Sequence, residues 1–127
     1  MTRLLPMLVL LAITGCTNAP DKQESQTVVA QFHSAVNAQD IAAIDALLTR
    51  STRELRPGVG TARAFAKLMQ RHGRYIDGHA GPIDRHEGRT RINWQARYVN
   101  GPVNEQFVLM HEAGVVKIEG YTDDPRL

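Results

Sequence analysis

Apolar positions change their spacing along the chain, and each change marks a different kind of element. Leu4 to Ile13 is a continuous apolar run. From Glu24 to Ala38 the apolar residues Val28, Val29, Phe32, Ala35 and Val36 return at helical spacing with Gln31, Ser34 and Asn37 between them, which predicts an amphipathic helix. Asp40 can cap a second helix whose stripe is Ile41, Ile44, Leu47 and Leu48. Arg56-Pro57-Gly58-Val59-Gly60 then breaks the pattern, and Thr61 can cap a third helix carrying Phe65, Leu68, Met69 and His72 on one side and ended by Gly73. Beyond it the period falls to two. Thr90, Ile92, Trp94, Ala96 and Tyr98 alternate with Arg89, Arg91, Asn93, Gln95 and Arg97, the signature of a strand with one buried and one wet face. Turns at Glu87-Gly88, Asn100-Gly101 and Glu112-Ala113-Gly114 separate it from strands over Val103 to His111 and Val115 to Tyr121. A further strand over about Asp77 to His86 is interrupted at Gly81-Pro82. The order predicts an α+β fold, with three N-terminal helices packed on one face of a four-stranded antiparallel meander.

The first apolar run belongs to something else. Met1-Thr2-Arg3 supplies a positive start, Leu4 to Ile13 a short apolar stretch and Thr14-Gly15-Cys16 a small-residue cleavage site, so the segment reads as a removable export signal. Ten apolar residues fall short of the roughly 20 that span a bilayer, and Pro6 interrupts them. Ile13-Thr14-Gly15-Cys16 resembles the lipobox of bacterial lipoproteins. The resemblance implies that the Cys16 thiol carries a diacylglyceryl group and that cleavage falls just before it. Several acyl chains give lasting attachment where one is marginal. Cys16 is the only cysteine, and lipidation accounts for an otherwise unpaired thiol in an exported chain. The alternative is an ordinary secretory signal with a cysteine at the cut. The expected organisation is therefore a signal peptide over 1–15, a lipidated cysteine and polar tether over 16–24, and a domain over 25–127. Thr17, where an aspartate would retain the chain in the inner membrane, resembles lipoproteins sorted to the outer membrane. A periplasm-facing, lipid-anchored protein is expected, with the outer membrane favoured over the cell membrane.

Charge adds little to this picture. Loss of the first 15 of 127 residues leaves 112, enough for one domain with its own core. Arginine outnumbers lysine twelve to three, and residues 50–97 hold eleven basic against four acidic side chains. That segment is either an anion-binding face or a set of solvated surfaces rich in arginine. Nucleic acid is disfavoured as a partner, because the chain is exported and basics do not interleave with aromatics on one strand face.

The stretch Val28-Val29-Ala30-Gln31-Phe32-His33-Ser34-Ala35-Val36-Asn37-Ala38-Gln39-Asp40 and the closing strand Val115-Val116-Lys117-Ile118-Glu119-Gly120-Tyr121 resemble the nuclear transport factor 2-like, cystatin-like superfamily. The likeness covers about residues 25–122. It implies a curled, cone-like sheet wrapped around helices with a pocket between them. That superfamily includes ketosteroid isomerases, dehydratases and polyketide cyclases beside members that only bind or assemble, and its catalytic members place an Asp, His or Tyr inside the cone. The inward residues of the clearest strand include no carboxylate or histidine, and no position matches a catalytic motif, so no catalytic residue and no cofactor is assigned. His72, His79 and His86 recur every seven residues but straddle glycine breaks, so no metal is expected; zinc prefers a tight pair. Asp84 or His111 could serve as a base only inside a pocket.

Trp94 and Tyr98 share a strand face and could line a ligand pocket with Phe65 and Met69 from the third helix, Trp94 lying deeper in the core and Tyr98 nearer the rim. The expected function is a membrane-anchored, non-catalytic binding or assembly module with a small apolar pocket. Its partners would be the membrane, and a small apolar ligand, an envelope protein or a second copy in a homodimer. The alternative is a small pocket enzyme of isomerase or dehydratase type, which a buried Asp, Glu or His inside the cone would favour.

Overall fold

In the computed structural model the described residues are 18–55 and 59–123, with side chains described for 18–54 and 63–123. The signal peptide, Cys16 and Thr17 lie outside them. Four helices come first: α1 (Lys22–Ala38), α2 (Ile41–Leu47), α3 (Arg50–Leu55) and α4 (Val59–His72). Four strands follow, β1 (Tyr75–His86), β2 (Arg89–Tyr98), β3 (Gly101–Glu112) and β4 (Val115–Asp123), paired antiparallel in the order β1-β2-β3-β4. The α+β meander with helices before the sheet is therefore as the periodicity predicts. The helix count is larger by the six-residue α3, which Thr49 starts by accepting the Thr52 amide. α4 also begins at Val59, inside the expected breaker, which puts Thr61 within the helix rather than at its cap.

Helix α1 is fastened at both ends. Asp21 and Glu24 form a reciprocal capping box at its start. At its far end the Asn37 side chain donates to the Tyr75 carbonyl and accepts from the Tyr75 amide, each at 2.9 Å, tying the helix to the first residue of β1. Gln39 turns the chain in the left-handed region at φ 55°, and Asp40 caps α2 by accepting from the Ala43 amide.

Along β2 every second side chain, from Thr90 to Tyr98, is buried, and the arginines face outward. Arg89 pairs with Glu119 at 2.6 Å, and Arg97 pairs across the strands with Asp77, also at 2.6 Å. In each case the guanidinium bond holds the carboxyl below the usual range. β1 runs through Gly81-Pro82 with a register shift between Ala80 and Ile83, so the predicted interruption is a bulge within one strand. The core lies between the inner sheet face and α1, with Phe32, Ile92, Phe107, Leu109 and Ile118 almost fully buried. Among the described residues, no helix is long and apolar enough to cross a membrane.

Candidate functional site

Polar side chains from five elements meet inside this core. β3 alternates Val103, Glu105, Phe107 and Leu109 toward the interior, so its period of two carries a carboxyl group inward; Glu105 is 1% exposed. α1 places His33 on the same stripe as Val29, Phe32 and Val36, and His33 is 3% exposed. His33 Nε2 lies 2.7 Å from Glu105 Oε1, while the Tyr98 hydroxyl donates to Oε2 at 2.6 Å and the Tyr121 hydroxyl donates to the same oxygen. Tyr75 stacks flat on the His33 imidazole, 3.6 Å between ring centroids and 3° between planes, and its hydroxyl accepts from Trp94 Nε1 at 3.1 Å. Gly78 makes room for this last contact, since a Cβ there would stand 2.5 Å from Trp94 Nε1.

Burial, reinforced by the Glu105 carboxyl, pushes the Tyr98 and Tyr121 hydroxyls far above their ordinary pKa. Burial also raises Tyr75, against the opposing Trp94 bond. All three phenols are therefore neutral at physiological pH, and Tyr98 and Tyr121 donate to Glu105. His33 Nδ1 is buried without a partner. The Nε2–H tautomer suits this geometry, because an unmet acceptor lone pair costs less than an unmet buried N–H. A carboxyl, an imidazole and two phenols within hydrogen-bond reach are the groups that general acid–base chemistry uses. They are bonded to one another through Glu105; His33, Tyr98 and Glu105 are buried, and Tyr121 is half-buried.

Open space lies along both flanks of α4. Val36, Gln39, Ile41, Ile44, Phe65, Ala66 and Met69 line a groove of about 370 Å³ between α1, α2 and α4. Behind it Phe65 meets Phe32 edge-on at 5.4 Å, and Phe32 in turn touches His33 at 5.5 Å. A second groove of about 370 Å³ runs along the other flank of α4 past Arg63, Lys67 and Arg71 to Tyr121 and Asp123. There Asp123 accepts from Arg71 at 2.6 Å and sits 2.7 Å from His72 Nε2.

Of the four pocket residues predicted from sequence, Phe65 and Met69 line the first groove, whereas Trp94 and Tyr98 lie in the interior. Tyr98 is not at a rim; it is 1% exposed, covered by Tyr75 and His72 at 5.4 Å each, with its hydroxyl spent on Glu105. The pattern of β2 missed His33, Tyr75, Glu105 and Tyr121. The signal for Glu105 was its inward place between Val103 and Phe107, opposite Trp94. The three evenly spaced histidines part company: His72 is buried against Asp123, His79 pairs opposite Gln95 in mid-strand, and His86 is exposed beside Glu87. His111 and Asp84 both lie outside the interior, His111 bonded to Asn18 and Asp84 opposite Arg91 on the β1–β2 ladder.

No protein-family model matches the chain, and no curated protein matches it in sequence. Solved structures do match. A protein of unknown function with a cystatin-like fold from Nostoc punctiforme is 15% identical at TM-score 0.65, over 84% of this chain and 93% of that one. A variant of Rd1NTF2_05 is 15% identical at TM-score 0.63, over 82% of this chain and all of the other. An NTF2-like family protein from Streptomyces avermitilis, whose name suggests a dehydratase, is 12% identical at TM-score 0.56, over 83% and 95%. At these identities the likeness speaks for architecture, and the chain has the NTF2-like, cystatin-like fold.

Proposed function

We propose that the protein is a lipid-anchored envelope protein, exported to face the periplasm, whose domain binds a small apolar molecule without transforming it. The observation that carries the binding reading is the groove between α1, α2 and α4, where six of seven lining residues are apolar and Gln39 supplies the one amide. Its volume of about 370 Å³ is within the roughly 300–1,000 Å³ of small-ligand sites. The anchor rests on Ile13-Thr14-Gly15-Cys16. The probe for the groove is 1-N-phenylnaphthylamine, a neutral molecule that fluoresces when taken out of water. Met69→Lys puts a charge on a half-buried lining position and should weaken binding by about tenfold, or 1.4 kcal/mol, while leaving the melting temperature nearly unchanged. Equal binding by Met69→Lys and wild type would reject the groove.

A second reading, a small pocket enzyme of isomerase or dehydratase type, is favoured by one observation: a buried His33–Glu105 pair inside the cone. It requires that substrate reach Glu105. Glu105→Gln would then abolish turnover while preserving probe binding in the groove.

A further inference from the structure

The chain entering α1 is welded to the sheet before the helix begins. His111 Nδ1 of β3 donates to the Asn18 carbonyl at 3.0 Å, Arg85 Nη2 of β1 donates to the Ala19 carbonyl at 2.7 Å, and the Thr90 hydroxyl of β2 donates to the Pro20 carbonyl. Pro20 and Thr90 are buried. Three consecutive carbonyls are thus held by three strands, at the end of the sheet that carries the β1–β2 hairpin (Glu87-Gly88) and the β3–β4 hairpin (Ala113-Gly114). A polar tether running to residue 24 would let a domain drift far from its lipid; here fixed structure starts at residue 18.

From the weld, and on the reading of Cys16 as the lipidated residue, we infer that the domain lies directly against the surface of the bilayer holding its own lipid, with this hairpin end down. Two peptide units separate Cys16 from Asn18, and they span at most about 7 Å in any conformation. That is about the depth of a headgroup layer, roughly 5–8 Å, so the surface around Asn18 meets lipid. It presents Val115, 53% exposed, with His86 and Glu87 nearby, whose side chains are 77% and 79% exposed. Both signs of charge occur there: Arg85 and His86 stand with Asp84 and Glu87, and Lys22 with Asp21 and Glu24. Leash length, not charge, therefore sets the contact, and salt should leave it in place. The groove lies at the opposite end of α1, a helix of 17 residues, or about 25 Å long. It opens away from the lipid.

The test uses the full lipoprotein, matured in cells and reconstituted in vesicles of phosphatidylethanolamine with phosphatidylglycerol, some bearing a nitroxide on the headgroup. Val115→Cys and Val99→Cys each add one free thiol at an exposed position, the first at the leash end and the second at the opposite hairpin. With an environment-sensitive fluorophore attached, the label at 115 should be quenched several-fold more than the label at 99, in low and high salt alike. A Gly/Ser insertion of about ten residues after Thr17 lengthens the leash by roughly 15–20 Å on average and should erase the difference while the protein still floats with the vesicles. Flotation with equal quenching at both positions overturns the inference and spares the anchor. Failure of the unlabelled wild type to float overturns the anchor, and the inference with it.

Discussion

The interior cluster and the α1/α2/α4 groove are separated by little more than Phe32, yet they are opposites. One is polar, made of His33, Glu105, Tyr98 and Tyr121, the first three of them buried. The other is apolar and open. Acid–base catalysis needs reactive groups and an approach for substrate in the same place, and the α1/α2/α4 groove lies apart from these groups. Their energetics differ in the same way. Both oxygens of Glu105 are hydrogen-bonded in the interior, so the cluster is costly to disturb, whereas Gln39, Ala66 and half-buried Met69 on the groove wall meet solvent and tolerate change. The polar interior fixes one arrangement of five elements, and the open apolar surface lies between helices.

Removing the carboxyl would break this contrast most severely. Glu105→Ala leaves His33 Nε2 and two tyrosine hydroxyls buried and unpaired, a loss of about 3–5 kcal/mol, to be measured by urea unfolding. A loss below about 1 kcal/mol would mean that water reaches the cluster. Tyr98→Phe is milder, about 1–2 kcal/mol at neutral pH, and it also changes the alkaline limb. A phenol whose pKa rises on folding contributes stability that is complete below its unfolded value of about 10 and is lost as pH climbs above it. Wild type should therefore lose up to about 1.4 kcal/mol per pH unit for each of Tyr98 and Tyr121 above pH 10, and Tyr98→Phe should show a shallower fall. At the groove, Met69→Gln should cost less than about 1 kcal/mol by the same unfolding assay. If it costs as much as Glu105→Ala, the groove is core and the contrast is false.

The sheet was readable from sequence because β2 obeys a strict alternation, with arginine, asparagine or glutamine on every wet position, and because two-residue turns delimit its neighbours. The bulge in β1 was not, since Gly81-Pro82 reads the same whether it ends a strand or bends one. α3 escaped because six residues hold too few apolar positions to establish a period, and its start depends on Thr49 being held by the Ile118 carbonyl. The interior cluster was missed for a related reason. His33 and Glu105 occupy apolar positions of their elements, and a polar residue there weakens the very pattern by which the element is recognised. Glu105 makes sense only once Tyr98, His33 and Tyr121 are brought to it, 7, 72 and 16 residues away in sequence. The groove residues Phe65 and Met69 were identifiable as a helix face, but their separation from Trp94 follows from where α4 crosses the sheet, which no local pattern encodes.

The flat stack of Tyr75 on His33 has an evolutionary meaning. The Tyr75 ring covers the imidazole face at 3.6 Å between centroids, so on that side one aromatic ring fills the cone. A lineage that exchanged Tyr75 for a small residue would open space onto a histidine and a carboxyl already hydrogen-bonded to each other, with no rearrangement of strands.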